Sequence, residues 1–233
     1  VIFMIYPLGI LFKNAVIENN GNFTFAYFSK FLSKNYYFST IFNSFKVSLA
    51  ATALTLIIGT PLAYFYNMYK IKGKTFLQIT IILCSMSAPF IGAYSWILLL
   101  GRNGLITNTL KNLTGFNVPS IYGFGGILLV LCMQLYPLVF LYVSGALRNI
   151  DNSLLEASEN MGCTGTKRFF KIIIPLCIPT ILAAALMVFM RAFADFGTPL
   201  FIGEGYRTFP VEIYNQFMNE TGSDKNFASA VSI

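Results

Sequence analysis

Three stretches of this chain, residues 47–66, 76–100 and 121–147, contain no charged residue, and a fourth that opens at Pro175 stays uncharged until Arg191. Crossing the hydrocarbon layer of a bilayer as a helix takes about 20 predominantly apolar residues, and each stretch supplies close to that. In lipid the backbone must satisfy its own hydrogen bonds, which a helix does within one segment. The expectation is an all-α, polytopic membrane protein. Composition agrees: 56% of the 233 residues are hydrophobic, 11% are charged and the mean hydropathy is +0.66, whereas about 25% of a soluble domain is charged.

The remaining segments fall between these runs. Residues 1–12, VIFMIYPLGILF, are too few to span, and the last seven residues, FASAVSI at 227–233, open another apolar run. Both read as clipped spans, so the full set is 1–12 (clipped), 47–66, 76–100, 121–147, 175–199 and 227–233 (clipped). That gives about six transmembrane helices in a single domain, 1–233, read as a fragment. No basic n-region or small-residue cleavage site marks the opening run as a signal peptide. In residues 13–46, Phe23, Tyr27, Phe31 and Leu32 suit one helical face and Lys30 and Lys34 another, which predicts an interfacial helix. Residues 105–113, LITNTLKNL, predict a short amphipathic helix in a loop, and Trp96 sits where an interfacial anchor belongs.

Several function classes are disfavoured at this point. The formal charge of +7 belongs to short basic segments beside apolar runs, with no separate basic domain, which argues against nucleic acid. Histidine is absent, so a hydrolase or metalloenzyme would lack its commonest base and ligand. Cys84, Cys132 and Cys177 lie in apolar runs and Cys163 in a polar stretch, with no metal-ligand spacing among them, which reads as small buried residues. No catalytic, cofactor-binding or metal-binding residue is assigned. A secondary transporter or channel would show charges within several spans or inverted repeats, and these are largely missing.

Basic residues set the orientation. Lys70, Lys72 and Lys74 in one loop and Arg148, Lys167, Arg168 and Lys171 in another are about twice as dense as those of the remaining loops, which places 67–74 and 148–171 in the cytoplasm. The second of these loops holds the one patterned polar stretch, EASENMGCTGTKRFFKIIIP, from Glu156 to Pro175. Ser153 followed by Glu156 makes a capping box that predicts a helix start, and Gly162 suits a helix C-terminus. Thr164 or Thr166 can cap a second short helix that bears Lys167, Arg168 and Lys171 and runs into Pro175. On pattern alone, capping and termination explain these residues as well as docking does.

The same stretch resembles the EAA loop of binding-protein-dependent ABC transporter permeases. Glu156, Ala157 and Ser158, then Gly162, then Ile172, Ile173, Ile174 and Pro175 match that family's spacing throughout, with Ser158 in place of alanine and Ile174 in place of leucine. FNSFKVSLAATALTLIIGTPLAYF resembles the opening span of the permease core, while ADFGTPLFIGEGYRTFPVEIYNQF and GRNGLITNTL are similar to segments of ferric-iron permeases, in particular their first six-helix core. The resemblance implies a type I ABC importer permease core in the bacterial cytoplasmic (inner) membrane. Its 148–175 loop would dock a separate cytoplasmic ATPase through Glu156, Ala157, Ser158, Gly162, Lys167 and Pro175. It further implies an extracytoplasmic solute-binding protein, a second permease core (fused or separate), and ATP with Mg held by the partner ATPase and not by this chain. The permease itself would not be an enzyme. Ferric iron is the implied solute, with a polyamine or a sulfate-like oxyanion as the alternative.

Three residues inside the spans remain. Arg191 and Asp195 are four apart and would share a helix face, either as a gate near solute entry or as an ion pair that holds helices together. Gln134 could line the solute path or bond across helices.

Overall fold

The structure, a computed structural model, describes residues 2–17, 23–69, 72–86, 89–114, 120–218 and 225–232, which are helical but for short connections. In chain order the helices are α1 (Ile2–Val16), α2 (Ala26–Ser33), α3 (Asn35–Met68), α4 (Lys74–Ser85), α5 (Pro89–Leu100), α6 (Leu105–Thr114), α7 (Phe124–Arg148) and α8 (Asn152–Asn160). There follow α9 (Gly165–Arg168), a π-helical turn (Phe169–Ile173), α10 (Ile174–Ala194), α11 (Gly197–Ile202), α12 (Phe209–Met218) and α13 (Lys225–Ser232).

One face of α3 carries Ser44, Ser48, Ala51, Thr55, Gly59 and Ala63, all buried, at intervals of three or four residues. Small residues let helix backbones approach closely, which in lipid is a main source of helix association. At Gly59 the approach is tightest: an added Cβ would lie 2.8 Å from the Cβ of Val139 on α7 and 3.1 Å from the Tyr136 carbonyl. Two hydroxyls on this face donate within the helix, Ser48 Oγ to the Ser44 carbonyl at 2.7 Å and Thr55 Oγ1 to the Thr52 carbonyl at 2.9 Å. Facing them on α7 are Ile127, Val130, Leu131, Val139, Phe140 and Val143, all essentially inaccessible. Val188 and Ala192 of α10 close the third side. The core is thus a three-helix junction with α7 at its centre.

Burial grades across the three long apolar helices. Within the most apolar window, 56% of residues are buried in Phe124–Arg148, 33% in Asn35–Met68 and 22% in the continuous helix Gly165–Ala194. The last therefore presents most of its apolar surface outward, including Leu176, Leu182, Leu186 and Met190.

Several expected boundaries shift. The range 47–66 lies inside α3, whose 34 residues reach about 50 Å at 1.5 Å per residue, well beyond a bilayer core. Its N-terminal turns are stitched to α12 and the residues just before it: Phe209 N–H donates to Ser44 Oγ at 2.8 Å, Asn43 Nδ2 to the Arg207 carbonyl at 3.2 Å, and Tyr36 Oη to Glu212 Oε2 at 2.9 Å. Those bonds extend the helix outward past its apolar run.

The range 76–100 is not one straight helix, because α4 and the helix after the break stand at 106°. α4 ends at Ser85 and α5 opens on Pro89, which has no N–H to donate and so suits the first position of a helix and not its interior. Phe23 lies outside any helix, in an isolated bridge with Ile17. On α2, Phe31 stacks on Tyr37 at 5.3 Å and meets Phe209 at 6.0 Å, so that face packs on protein. The side chains of Lys30 and Leu32 lie outside the described residues.

Candidate functional site: an exposed loop and a polar cavity

The loop after α7 begins with an aspartate cap. Asp151 Oδ1 accepts the Ser153 N–H at 2.9 Å and α8 starts at Asn152. The cap therefore sits two residues before the Ser153 position that the sequence suggested. An aspartate can bond the N–H two residues on and so reaches the first orphan donor ahead of Ser153. These bonds from Ser153 hold the Asp151 carboxyl below the usual carboxylate range.

The other end closes at Gly162, with φ +71. Gly162 N–H donates to the Glu159 carbonyl and Cys163 N–H to that of Ser158, each at 2.9 Å. This pair of bonds is the Schellman arrangement, and its left-handed residue is one that glycine adopts without a Cβ penalty. Glu156 and Ala157 are exposed while Ser158 is buried. Thr164 occupies the cap position of α9, without a side-chain cap bond; Lys167 and Pro175 are exposed.

α8 is fastened to the membrane helices by contacts the sequence did not disclose. Arg168 Nη1 bonds Glu159 Oε1 across the glycine turn. The Phe169 ring packs against Tyr64 of α3 at 4.6 Å between centroids. Glu159 and Arg168 are nine apart with a chain reversal between them, so no helical spacing flags the pair. Beyond them Gly165–Ala194 runs as one continuous helix, with a π turn where Ile174 N–H reaches back five residues to the Phe169 carbonyl. Pro175 explains this wide turn: it lacks an N–H, and its ring needs the carbonyl four residues back displaced.

The second feature lies between α7 and α10. Gln134, Leu131 and Leu135 from α7 and Arg191, Ala194 and Asp195 from the end of α10 line a single cavity of about 320 Å³. Gln134 borders a neighbouring cavity of about 330 Å³ with Ser95, Trp96, Met133 and Tyr136. Its buried Oε1 has no hydrogen-bond partner among the described residues. Arg191 and Asp195 do not share a helix face, because α10 ends at Ala194 and Asp195 has an extended backbone. The Asp195 carboxylate accepts the Thr198 N–H at 3.1 Å instead, at the start of α11. Among the described residues no ion pair joins Arg191 to it. The structure thus brings Gln134, Arg191 and Asp195 to one cavity and leaves the six loop residues on the opposite end of α10.

The sequence pattern of the family described as "binding-protein-dependent transport system inner membrane component" matches residues 55–233. The chain belongs to this family. The permease fold is shared with a bacterial ABC transporter involved in the import of the acidic polysaccharide alginate, at a TM-score of 0.76 and 19% identity, over 99% of this chain and 84% of that one. A putative ferric transport system permease protein of Haemophilus influenzae is 28% identical over 99% of this permease. The chain spans 36% of that relative's length. A putative 2-aminoethylphosphonate transport system permease protein of Salmonella typhimurium is 24% identical over 98% of this chain and 80% of its own length. The loop and the cavity therefore belong to a multi-pass member of this inner-membrane family.

Proposed function

We propose that this permease core works in an ATP-driven importer of the bacterial cytoplasmic membrane, and that α8 is the surface a separate cytoplasmic ATPase grips. One observation carries the reading: the exposed face of α8, with Glu156 and Ala157, is locked by Gly162 and the Glu159–Arg168 bond to a helix that continues unbroken to the cavity end. A rigid tether of this kind converts closure of an ATPase dimer into a tilt of membrane helices, which alternating access requires. Glu156, Ala157, Ser158, Gly162, Lys167 and Pro175 are the coupling residues in this reading. ATP and Mg belong to the ATPase.

An extracytoplasmic binding protein delivers the solute, and a second permease core, fused or separate, completes the path. The outward apolar face of α10 suits that core or lipid. About six crossings are assigned, with α4 and α5 together as one bent crossing. Gln134, Arg191 and Asp195 line the route, with the unpartnered Gln134 Oε1 available to a passing solute. Ferric iron is the favoured solute, since the ferric relative is 28% identical against 24% for the phosphonate relative at similar coverage of this chain; an oxyanion is the second reading, supported by the phosphonate relative and by Arg191 in the cavity.

Uptake and ATPase association in reconstituted membranes test the coupling assignment. Glu156→Lys combined with Gly162→Val abolishes both if it is right, and normal uptake with normal association would refute it. For the solute, the cognate binding protein is titrated with ferric iron, putrescine and sulfate; absence of iron binding removes iron.

A further inference from the structure

A groove of about 420 Å³ lies between α8 and the base of α10. Its walls are Leu154, Ala157, Ser158 and Met161 on one side and Lys171, Ile172, Pro175 and Leu176 on the other. Leu154, Met161 and Leu176 are 50%, 81% and 49% exposed, a cost in water that a covering apolar group would relieve. Lys171 is the last charge before the uncharged run that ends at Arg191, so it marks the headgroup level on the cytoplasmic side. Leu176 lies about 7 Å deeper along the helix, at 1.5 Å per residue. The groove thus crosses the boundary between headgroups and acyl chains, apolar below and cationic at the rim. Among the described residues the two ion pairs join Arg102 to Glu204 and Arg168 to Glu159, which leaves the Lys171 ammonium without a carboxylate.

We infer that this groove binds one anionic phospholipid, its phosphate on Lys171 and an acyl chain against Leu154, Met161, Ile172 and Leu176. A free phosphate would leave the apolar floor uncovered, and a neutral lipid would leave Lys171 unpaired. A single Lys or Arg near an anionic surface contributes about 1 kcal/mol of attraction to the headgroups. The lipid would wedge under α8 and fix its height over the bilayer. The groove shares Ala157, Ser158 and Pro175 with the proposed coupling residues; the inference goes beyond ATPase docking and is tested separately from it.

The test uses the complete transporter in phosphatidylcholine nanodiscs that hold a minor fraction of phosphatidylglycerol, with retained lipids counted by native mass spectrometry. Lys171→Gln lowers retained phosphatidylglycerol about fivefold, the weight of one basic residue at an anionic surface, and Lys171→Arg keeps it. Leu176→Trp, which fills the floor, lowers retention of both lipids. Equal phosphatidylglycerol retention in wild type and Lys171→Gln would overturn the inference. So would Leu176→Trp that releases the ATPase and leaves lipid retention unchanged, since the groove would then belong to the ATPase. Lipid retention is read independently of uptake, so a failure of the coupling assignment leaves this result standing.

Discussion

The two faces of the helix junction are built differently. Where α3 meets α7, small residues and β-branched side chains interlock, and α7 is the most buried of the long helices. Where Gly165–Ala194 meets them, contact is sparser and most apolar side chains point outward. One is a fixed frame. The other is a limb attached along one edge, with α8 at one end and the Gln134–Arg191–Asp195 cavity at the other. A core packed to native density has discrete arrangements, not a continuum. Movement is therefore expected at the lightly packed helix and not within the frame.

That contrast can be broken by substitution, and the largest effect belongs to the frame. Gly59→Ala pushes a Cβ to 2.8 Å from Val139, an overpacking that costs about 1–3 kcal/mol. The expected outcome is a lowered thermal midpoint in detergent together with reduced yield. Unchanged stability would mean that the α3–α7 contact is looser than described.

In the limb, Gly162→Ala meets no neighbouring atom, so its cost is conformational, about 1–2 kcal/mol for a left-handed residue with a Cβ. The effect should be local: uptake and ATPase association fall while the thermal midpoint of the frame holds. A global loss of stability would erase the distinction between the two regions.

A smaller change follows from Arg168→Ala. The Glu159–Arg168 bond is partly exposed on the glutamate side, and pairs of this kind contribute about 0.2–1 kcal/mol. Stability should barely move, while ATP hydrolysis by the complex becomes less responsive to the loaded binding protein. Hydrogen exchange in α8 should rise in the same variant.

The smallest effect is acid sensitivity of the α8 cap. The Asp151 carboxyl is held below its usual range by Ser153. A depressed carboxyl contributes stability that is present above its unfolded value and is lost as pH falls through the folded one. Amide exchange at the start of α8 should stay slow at neutral pH and rise only below about pH 4, with Asp151→Asn flattening the profile.

Much of the limb was legible in the sequence, because Gly162 and the Glu156–Pro175 spacing are local signals. The helix start was misplaced because two residues, Asp151 and Ser153, could cap, and Asp151 reaches the backbone donor first. Arg191 and Asp195 looked like a helix-face pair, since a four-residue spacing assumes a helix that continues; α10 stops at Ala194, and Asp195 turns to Thr198. The cavity that joins them to Gln134 is a tertiary fact with no local signature. The outward extension of α3 was hidden for a similar reason: its N-terminal turns are polar, and the bonds that hold them come from Arg207, Phe209 and Glu212, far along the chain.

The central claim is that α8 is where the ATPase docks, and hydrogen exchange on the permease with and without its ATPase tests it most directly. Protection is predicted at residues 152–160 when the complex forms, with α11 and α12 unchanged. A stable complex that leaves 152–160 as exchangeable as in the free permease would contradict the account.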